Sequence, residues 1–548
     1  MDHEILLGDE AIARGALDAG ISGAYAYPGT PSTEVFETVH NLNGRNGLGV
    51  HARWSANEKV AMEEAVGMSY AGRRAMVSFK HVGLNVAADP FVNAAIAGAH
   101  GGLVIVVADD PSMHSSQNEQ DSRFFADFAH IPCFEPASQQ EAYDMTREAF
   151  DVSERFHVPV MLRVTTRLAH SRSIVKTAPP RPQNPPQWVP DPSNFTLLPS
   201  NARRAYQQLL DKQQEFRAMS TFHAVNTLTL SGQGRPGIIA CGIAWGYVRE
   251  ALGEDVSGYN TLRVGVYPIP VASVQNLVQA SSDVLVLEEG YPLVERLLVG
   301  LGGPPPRPVH GRLDGTLPRA GELTPDNVMK ALGRPVPTGL VAPQVDAVVR
   351  PRPPLLCDAC PHRDSYAAIN AALADHPQAR VMGDIGCYTL GYYKPYSAIH
   401  SCLAMGASIS MAAGASHAGM RPVLCVIGDS TFTHSGMTPL LDAAREDTDM
   451  TVFILDNSIV AMTGGQQNMA QTDEILALLT GLGVKRDHVR AINPLPKHHD
   501  ENVRVIKEEI AHKGLSVIVS SRICITYAKQ IKEFKKERAG QAAAEVSA

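Results

Sequence analysis

At about 150 residues per domain, a chain of 548 residues holds three or four domains, and 44% hydrophobic against 19% charged residues is enough apolar material for several cores, which excludes disorder as the main state. The net charge of −8, with no long basic run, argues against nucleic acid as a partner. The longest apolar stretches, such as Gly102–Ala108, are far too short for a membrane span. The acidic start Met1-Asp2-His3-Glu4 also lacks the basic-then-apolar order of a signal peptide, so no membrane association and a cytoplasmic location are expected.

Proline clusters at Pro179–Pro199, Pro304–Pro308 and Pro335–Pro354 read as linkers. They divide the chain into 1–175, a connector over 176–235, 236–335, 350–530 and a tail over 531–548, which is charged and then alanine-rich. In chain order, Gly102–Ala108, Val158–Val164, Gly237–Cys241, Val284–Leu287, Val423–Ile427, Thr451–Leu455 and Leu515–Val519 have the length and branching of buried parallel strands. Gln140–Arg155, Pro439–Arg445 and Glu501–His512 carry helical spacing. Strand-then-helix alternation predicts the α/β class, with several doubly wound parallel-sheet domains whose ligands sit at the carboxyl ends of strands.

In the first block, Ser55-x-x-Glu58 reads as a capping box opening a helix. Ala61, Ala65 and Gly67 would form a small-residue face on that helix, and Glu63 and Glu64 a solvated one. In the last block, the strand Val423–Ile427 runs into Gly428-Asp429-Ser430-Thr431, and one helix crossover later the strand Thr451–Leu455 runs into Asp456-Asn457-Ser458-Ile459. The two strand ends would then be neighbours, offering a carboxylate and an amide oxygen to one point, as a hard cation requires. Gly428 would admit a close backbone approach, and Ser430 and Thr431 would donate to a phosphate. A helix-capping Asp in a plain strand-turn-helix is the bland alternative.

The pattern resembles the thiamine-diphosphate signature, Gly-Asp-Gly followed by Asn, with Ser430 where the last Gly usually stands. The resemblance implies that Asp429, Asn457 and the carbonyl of Ile459 hold magnesium. It further implies that Asp384, Gly386 and Cys387 of one loop, and Met405 and Gly406 before a small-residue helix, contact the cofactor. Thiamine chemistry needs a carboxylic acid against the pyrimidine ring, and Glu58 is the candidate.

Longer runs narrow the resemblance. Tyr27-Pro28-Gly29-Thr30-Pro31-Ser32, Lys80-His81-Val82-Gly83-Leu84-Asn85, the stretch Ala108–Arg123, Cys357-x-x-Cys360-Pro361-His362-Arg363 and Asp456–Gly465 closely resemble the alpha subunit of indolepyruvate ferredoxin oxidoreductases, over about residues 4–527. That family implies a pyrimidine-binding domain, a transketolase C-terminal-like domain with no catalytic group of its own, and a diphosphate-binding domain. It implies a smaller beta-type subunit as partner in a dimer of heterodimers. It also implies oxidative decarboxylation of an arylpyruvate such as indolepyruvate or phenylpyruvate to the acyl-CoA, with coenzyme A as cosubstrate and ferredoxin or another acceptor taking the electrons. Thr30, Lys80, His81 and His434 are candidates for handling substrate or protons.

The family's alpha subunit ends in a ferredoxin-like domain with repeated Cys-x-x-Cys-x-x-Cys runs, and this sequence contains no such run. Four thiolates can hold a 4Fe-4S cluster. In the wider superfamily a proximal cluster uses an arrangement similar to Cys357, Cys360, Cys387 and Cys524, which implies a single cluster here. Cys133, Cys241, Cys402 and Cys425 read as core thiols. A non-redox thiamine-diphosphate decarboxylase or carboligase is the alternative reading, and a non-catalytic assembly subunit the third.

Overall fold

The structure is a computed structural model that describes residues 3–189, 191–253, 256–301, 305–337, 349 and 354–547. The chain forms two compact units, Met1–Val341 and Ala342–Ala548. Of the proline segments expected to be linkers, Pro190, Pro304 and residues 338–348 and 350–353 lie outside the described residues.

In the first unit a seven-stranded sheet runs in the order Val266–Tyr267, Cys133–Phe134, Val160–Thr165, Leu103–Asp109, Ala75–Lys80, Gly23–Ala26, His51–Trp54. Every pairing is parallel except that of Val266–Tyr267. Alternation puts Val104, Val106 and Ala108 into one apolar core and Leu103, Ile105 and Val107 into another, so both faces of the central strand are covered. A five-stranded sheet, Val309–His310, Ser281–Leu287, Arg235–Cys241, Asn260–Val264 and Leu228–Thr229, follows the same logic and is parallel apart from its last strand. Helices Pro199–Asp211 and Gln213–Phe222 occupy the second half of the connector.

The second unit has an all-parallel six-stranded sheet in the order Ser401–Cys402, Arg380–Gly383, Val423–Gly428, Met450–Asp456, Leu515–Ser521, Val489–Ile492. Leu424 and Val426 face one core, and Val423, Cys425 and Ile427 the other. All seven expected strands are strands, and the three expected helices are Gln139–Phe156, Met437–Glu446 and His499–Ala511. The end of the chain is helical from Ala528. Among the described residues no helix is long and apolar enough to cross a membrane.

Charges as well as apolar groups join the two sheets of the first unit. Arg163, fully buried, donates through Nε to Asp109 at 2.7 Å, through Nη1 to Glu135, and through Nη2 to the Glu289 carbonyl at 3.0 Å. Arg123, also buried, binds Asp121 at 2.5 Å and Glu288 at 3.1 Å. Glu288 and Glu289 belong to the five-stranded half, so each arginine spans both sheets. Burial pushes the Glu289 carboxyl up to about 7. Replacing Arg163 by Met strands Asp109 and Glu135 out of water, and a loss of about 3–5 kcal/mol is expected. A urea midpoint that does not move would contradict it.

Candidate active site

Parallel strands put their carboxyl ends on one edge, and in the first unit that edge gathers the residues singled out above. Gly23–Ala26 runs into the Tyr27–Ser32 loop, Ala75–Lys80 into a short helix from His81, and Leu103–Asp109 into Asp110–Ser122. Glu58 opens the helix Glu58–Tyr70 and is 6% exposed. The expected capping box is corrected. The cap is Asn57, whose side chain accepts from the Val60 N–H at 2.9 Å, while Ser55 Oγ donates to Glu64 at 2.6 Å. The capping role therefore falls to Asn57 and not to the Glu58 carboxyl. Ala61 and Ala65 do face the core, but Gly67 is exposed and leaves that face, and Glu64 is half-buried rather than solvated.

Gly83 lies against Glu58: a Cβ at position 83 would stand 2.7 Å from Glu58 Oε1. Lys80 is buried and donates to the Ser115 carbonyl at 2.9 Å, and Ser115 Oγ in turn donates to the Thr30 carbonyl at 3.0 Å. Burial pushes the Lys80 ammonium down to about 8, opposed by the carboxylates of Asp110 and Glu58. Asp110 accepts from the Ser115 N–H, Ser116 and Thr166 at 2.7–2.8 Å. His81 is buried, with Nε2 3.1 Å from the Asn118 carbonyl and Nδ1 unpartnered. Thr30, Glu58, Lys80 and His81 therefore line one edge. Asp110, Ser115 and Gly83 complete it, and only their membership of the quoted runs pointed to them.

In the second unit Val423–Gly428 and Met450–Asp456 are adjacent parallel strands with Gly428 opposite Leu455, so Asp429 and Asp456 leave the sheet side by side. Asp429 is buried and accepts from the Ser430 N–H and from Asn468 Nδ2, both at 2.8 Å. Burial, then the Asp456 charge, pushes its carboxyl well up. Asp456 accepts from the Ser458 N–H at 2.9 Å, Ser521 at 2.8 Å and Thr472. Asn457 is buried, its Oδ1 accepting from the Ile459 N–H at 3.1 Å. Ser458 between them has a left-handed φ of 64°, which makes the turn. Two buried carboxylates, an amide oxygen and loop carbonyls form a donor set with surplus negative charge, which suits a hard divalent cation.

The neighbouring loops are held by contacts of their own. Gly428 and Gly386 both pack against the Tyr388 ring, which a Cβ would meet at 2.7 and 2.3 Å respectively. Thr431 Oγ1 donates to the Ile385 carbonyl at 3.0 Å and is thus engaged within the loop. Asp384 is buried with both oxygens engaged, by the Tyr388 hydroxyl and by the Ser408 N–H at 3.2 Å, and burial pushes its carboxyl up to about 6. It secures the loop to the start of the helix Ala407–His417. Gly406 has φ of 80° and a would-be Cβ 2.6 Å from Ser435, so only glycine fits there. Met405 and Ser430 are half-buried, and His434 is buried with Nδ1 against Ser435 Oγ.

The four cysteines converge within this unit. The Cys360 N–H donates to the Cys357 carbonyl at 3.2 Å, and the Cys524 N–H donates to the Asn457 carbonyl at 2.9 Å. Burial, then the neighbouring Cys360, Cys524 and Cys357, pushes the Cys387 thiol up to about 12, and Asp429 adds to it. Burial, Cys357 and Cys524 raise Cys360 likewise. Among the described residues no three of these sulfurs lie within 4.8 Å of one another. That is wider than a single tetrahedral zinc with bonds of about 2.3 Å draws its ligands. Cys133, Cys241 and Cys425 are buried as expected, but Cys402 is exposed and is not a core thiol.

Residues 14–199 match the family described as "Pyruvate flavodoxin/ferredoxin oxidoreductase, thiamine diP-bdg", and residues 384–520 match "Thiamine pyrophosphate enzyme, C-terminal TPP binding domain". The chain is 38% identical to "Indolepyruvate oxidoreductase subunit IorA" of Archaeoglobus fulgidus over 95% of its own length and 86% of that protein's. It is 36% identical to the protein of the same description in Methanothermobacter thermautotrophicus, over 96% and 87%. The solved structure of a 2-oxoglutarate:ferredoxin oxidoreductase from Magnetococcus marinus shares the fold with a TM-score of 0.50 at 17% identity, covering 61% of this chain and 65% of that one. The chain thus belongs to the family of indolepyruvate oxidoreductase IorA subunits.

Proposed function

We propose that the chain is the catalytic subunit of a cytoplasmic enzyme that oxidatively decarboxylates an arylpyruvate, indolepyruvate first among them, to its acyl-CoA. In balance, the 2-oxoacid and the thiol of coenzyme A give a thioester, carbon dioxide and a proton, while two electrons reduce ferredoxin or a similar acceptor. The observation that carries this reading is the group of four thiols tied to the Asn457 loop through Cys524 at 2.9 Å. An electron carrier held there borders the loop proposed to hold the cofactor's metal.

Bound thiamine diphosphate supplies an electron sink for the departing carboxylate. Residues 1–175 would bind its pyrimidine, with Glu58 holding a proton against the ring, and Gly83 leaves room for that carboxyl. Residues 350–530 would bind the diphosphate. There Asp429, Asn457 and the Ile459 carbonyl would hold magnesium, Asp456 adds charge behind them, and Gly406, Met405 and Ser430 flank the cofactor. Residues 236–335 are the transketolase C-terminal-like domain, joined through the connector 176–235. Cys357, Cys360, Cys387 and Cys524 would hold one 4Fe-4S cluster. A beta-type subunit completes a dimer of heterodimers, with 531–548 as a tail.

Lys80, cationic at neutral pH, orients the substrate carboxylate. Since its ammonium titrates near 8, the charge is present below that pH and fades above it. The KM for the oxoacid is expected to rise about tenfold per pH unit above 8, and Lys80→Met to raise KM at pH 7 and remove this slope. An unchanged pH profile in the variant would count against Lys80.

The whole reading is tested by anaerobic turnover with the beta partner, indolepyruvate, coenzyme A and ferredoxin. Arylacetyl-CoA with two ferredoxins reduced per carbon dioxide is expected. Aldehyde without acceptor reduction would favour the non-redox decarboxylase instead.

A further inference from the structure

Three side chains that the proposed reaction does not use converge in the first unit. Asp9 lies in the first turn of the helix Gly8–Asp18 and Glu34 in the first turn of the helix Thr33–Asn46, while His170 ends the short helix Thr166–His170. One ligand atom from each lies within 4.8 Å of the other two. Asp9 is 0% exposed, and neither of its carboxylate oxygens has a hydrogen-bond partner. His170 Nε2 is 3.5 Å from Glu34 Oε2, and both side chains are about one-third exposed. The cluster is therefore closed at Asp9 and at Glu34 Oε2, which is also buried, and reaches water along the outer parts of Glu34 and His170.

A carboxylate withdrawn from water with no donor facing it is among the costliest arrangements a fold can hold. The surrounding charge does not relieve it. Glu10 faces Asp9 and Asp110 faces His170, and both add negative field. Burial, then the charges of Glu34 and Glu10, pushes the Asp9 carboxyl well up, which is how Asp9, Glu34 and His170 coexist without an ion. With a divalent cation and a neutral imidazole they sum to zero. Two carboxylate oxygens and one imidazole nitrogen, with an open side for water, form an incomplete shell for a small divalent ion, and the imidazole favours zinc over magnesium or calcium.

We propose that Asp9, Glu34 and His170 bind one divalent cation of the zinc class, with water completing its shell. The ion would pin three helix ends together. One of these helices begins directly after the Thr30–Ser32 loop, so the ion also steadies the loop that carries Thr30. The site is independent of the cysteine group and of the proposed magnesium site, both of which belong to the second unit.

Cobalt(II) titration of the full chain tests this, because carboxylate and imidazole ligands give weak visible bands whereas thiolates add an intense near-ultraviolet one. In protein already loaded with its cluster, magnesium and thiamine diphosphate, the expected result is one further equivalent of cobalt with weak visible bands only, displaced by zinc and lost in both Asp9→Asn and His170→Ala. Zinc should raise the melting temperature of the parent and leave that of Asp9→Asn unmoved. Asp9→Asn keeps the shape of the side chain, and His170 is at the surface, so at least one variant should fold as the parent does. Bands of thiolate character alone, or a cobalt stoichiometry unchanged in the folded variants, would overturn the site.

Discussion

Replacing Glu58 by glutamine is expected to lower kcat on the arylpyruvate by about 10²–10⁴-fold while leaving thiamine diphosphate affinity and melting temperature close to the parent's. The size of the effect follows from where Glu58 sits. The helix it opens is capped by Asn57 through a 2.9 Å bond to the Val60 N–H, so deleting the carboxyl charge removes no cap. The residue is 6% exposed and lies against the bare Gly83 backbone, in a water-poor setting. The amide keeps the volume of the side chain and loses the acid. The Glu58→Gln effect should therefore fall on kcat rather than on KM for the oxoacid. Turnover within a few-fold of the parent would remove Glu58 from the chemistry.

The second large effect concerns the thiols. Anaerobically purified protein is expected to carry about four irons and four sulfides per chain, and Cys387→Ala to lose most of them together with reduction of ferredoxin. Cys387 is the informative position because it is half-buried, is sensed by the other three thiols and is also within electrostatic range of Asp429. A cluster ligated there borders the metal loop. Iron-free protein that still makes acyl-CoA and reduces ferredoxin would contradict the assignment. Zinc in place of iron would instead require at least three of the sulfurs to come within 4.8 Å of one another.

Sequence reasoning reached the sheets because their signal is local. Leu103–Asp109 is apolar at nearly every position since both faces are buried, and such runs are recognisable one at a time. Asp429 and Asn457 were legible for a related reason: each lies just beyond such a run, and parallel pairing brings strand ends together. What stayed hidden depends on partners distant in the chain. Nothing near Ser55 says that its hydroxyl turns to Glu64 while Asn57 caps the helix. Nothing near Gly386 and Gly428 in the sequence says that both pack against the Tyr388 ring. Arg163 looks like one polar interruption of an apolar strand, and its three partners come from three different segments. Cys402 has apolar sequence neighbours, but its strand is at the sheet edge, which leaves it exposed.

If this chain activates thiamine diphosphate as proposed, Glu58 is the acid and Asp429 a ligand of the metal that holds the diphosphate. Hydrogen–deuterium exchange at C2 of the bound cofactor, followed by quenched-flow NMR, tests it most directly. Exchange much faster than in free thiamine diphosphate is expected, slowed by about 10² or more in Glu58→Gln. No protein-dependent exchange is expected in Asp429→Ala, because the diphosphate is no longer held. Exchange in the parent no faster than in the free cofactor, or acceleration that survives Glu58→Gln, would contradict it.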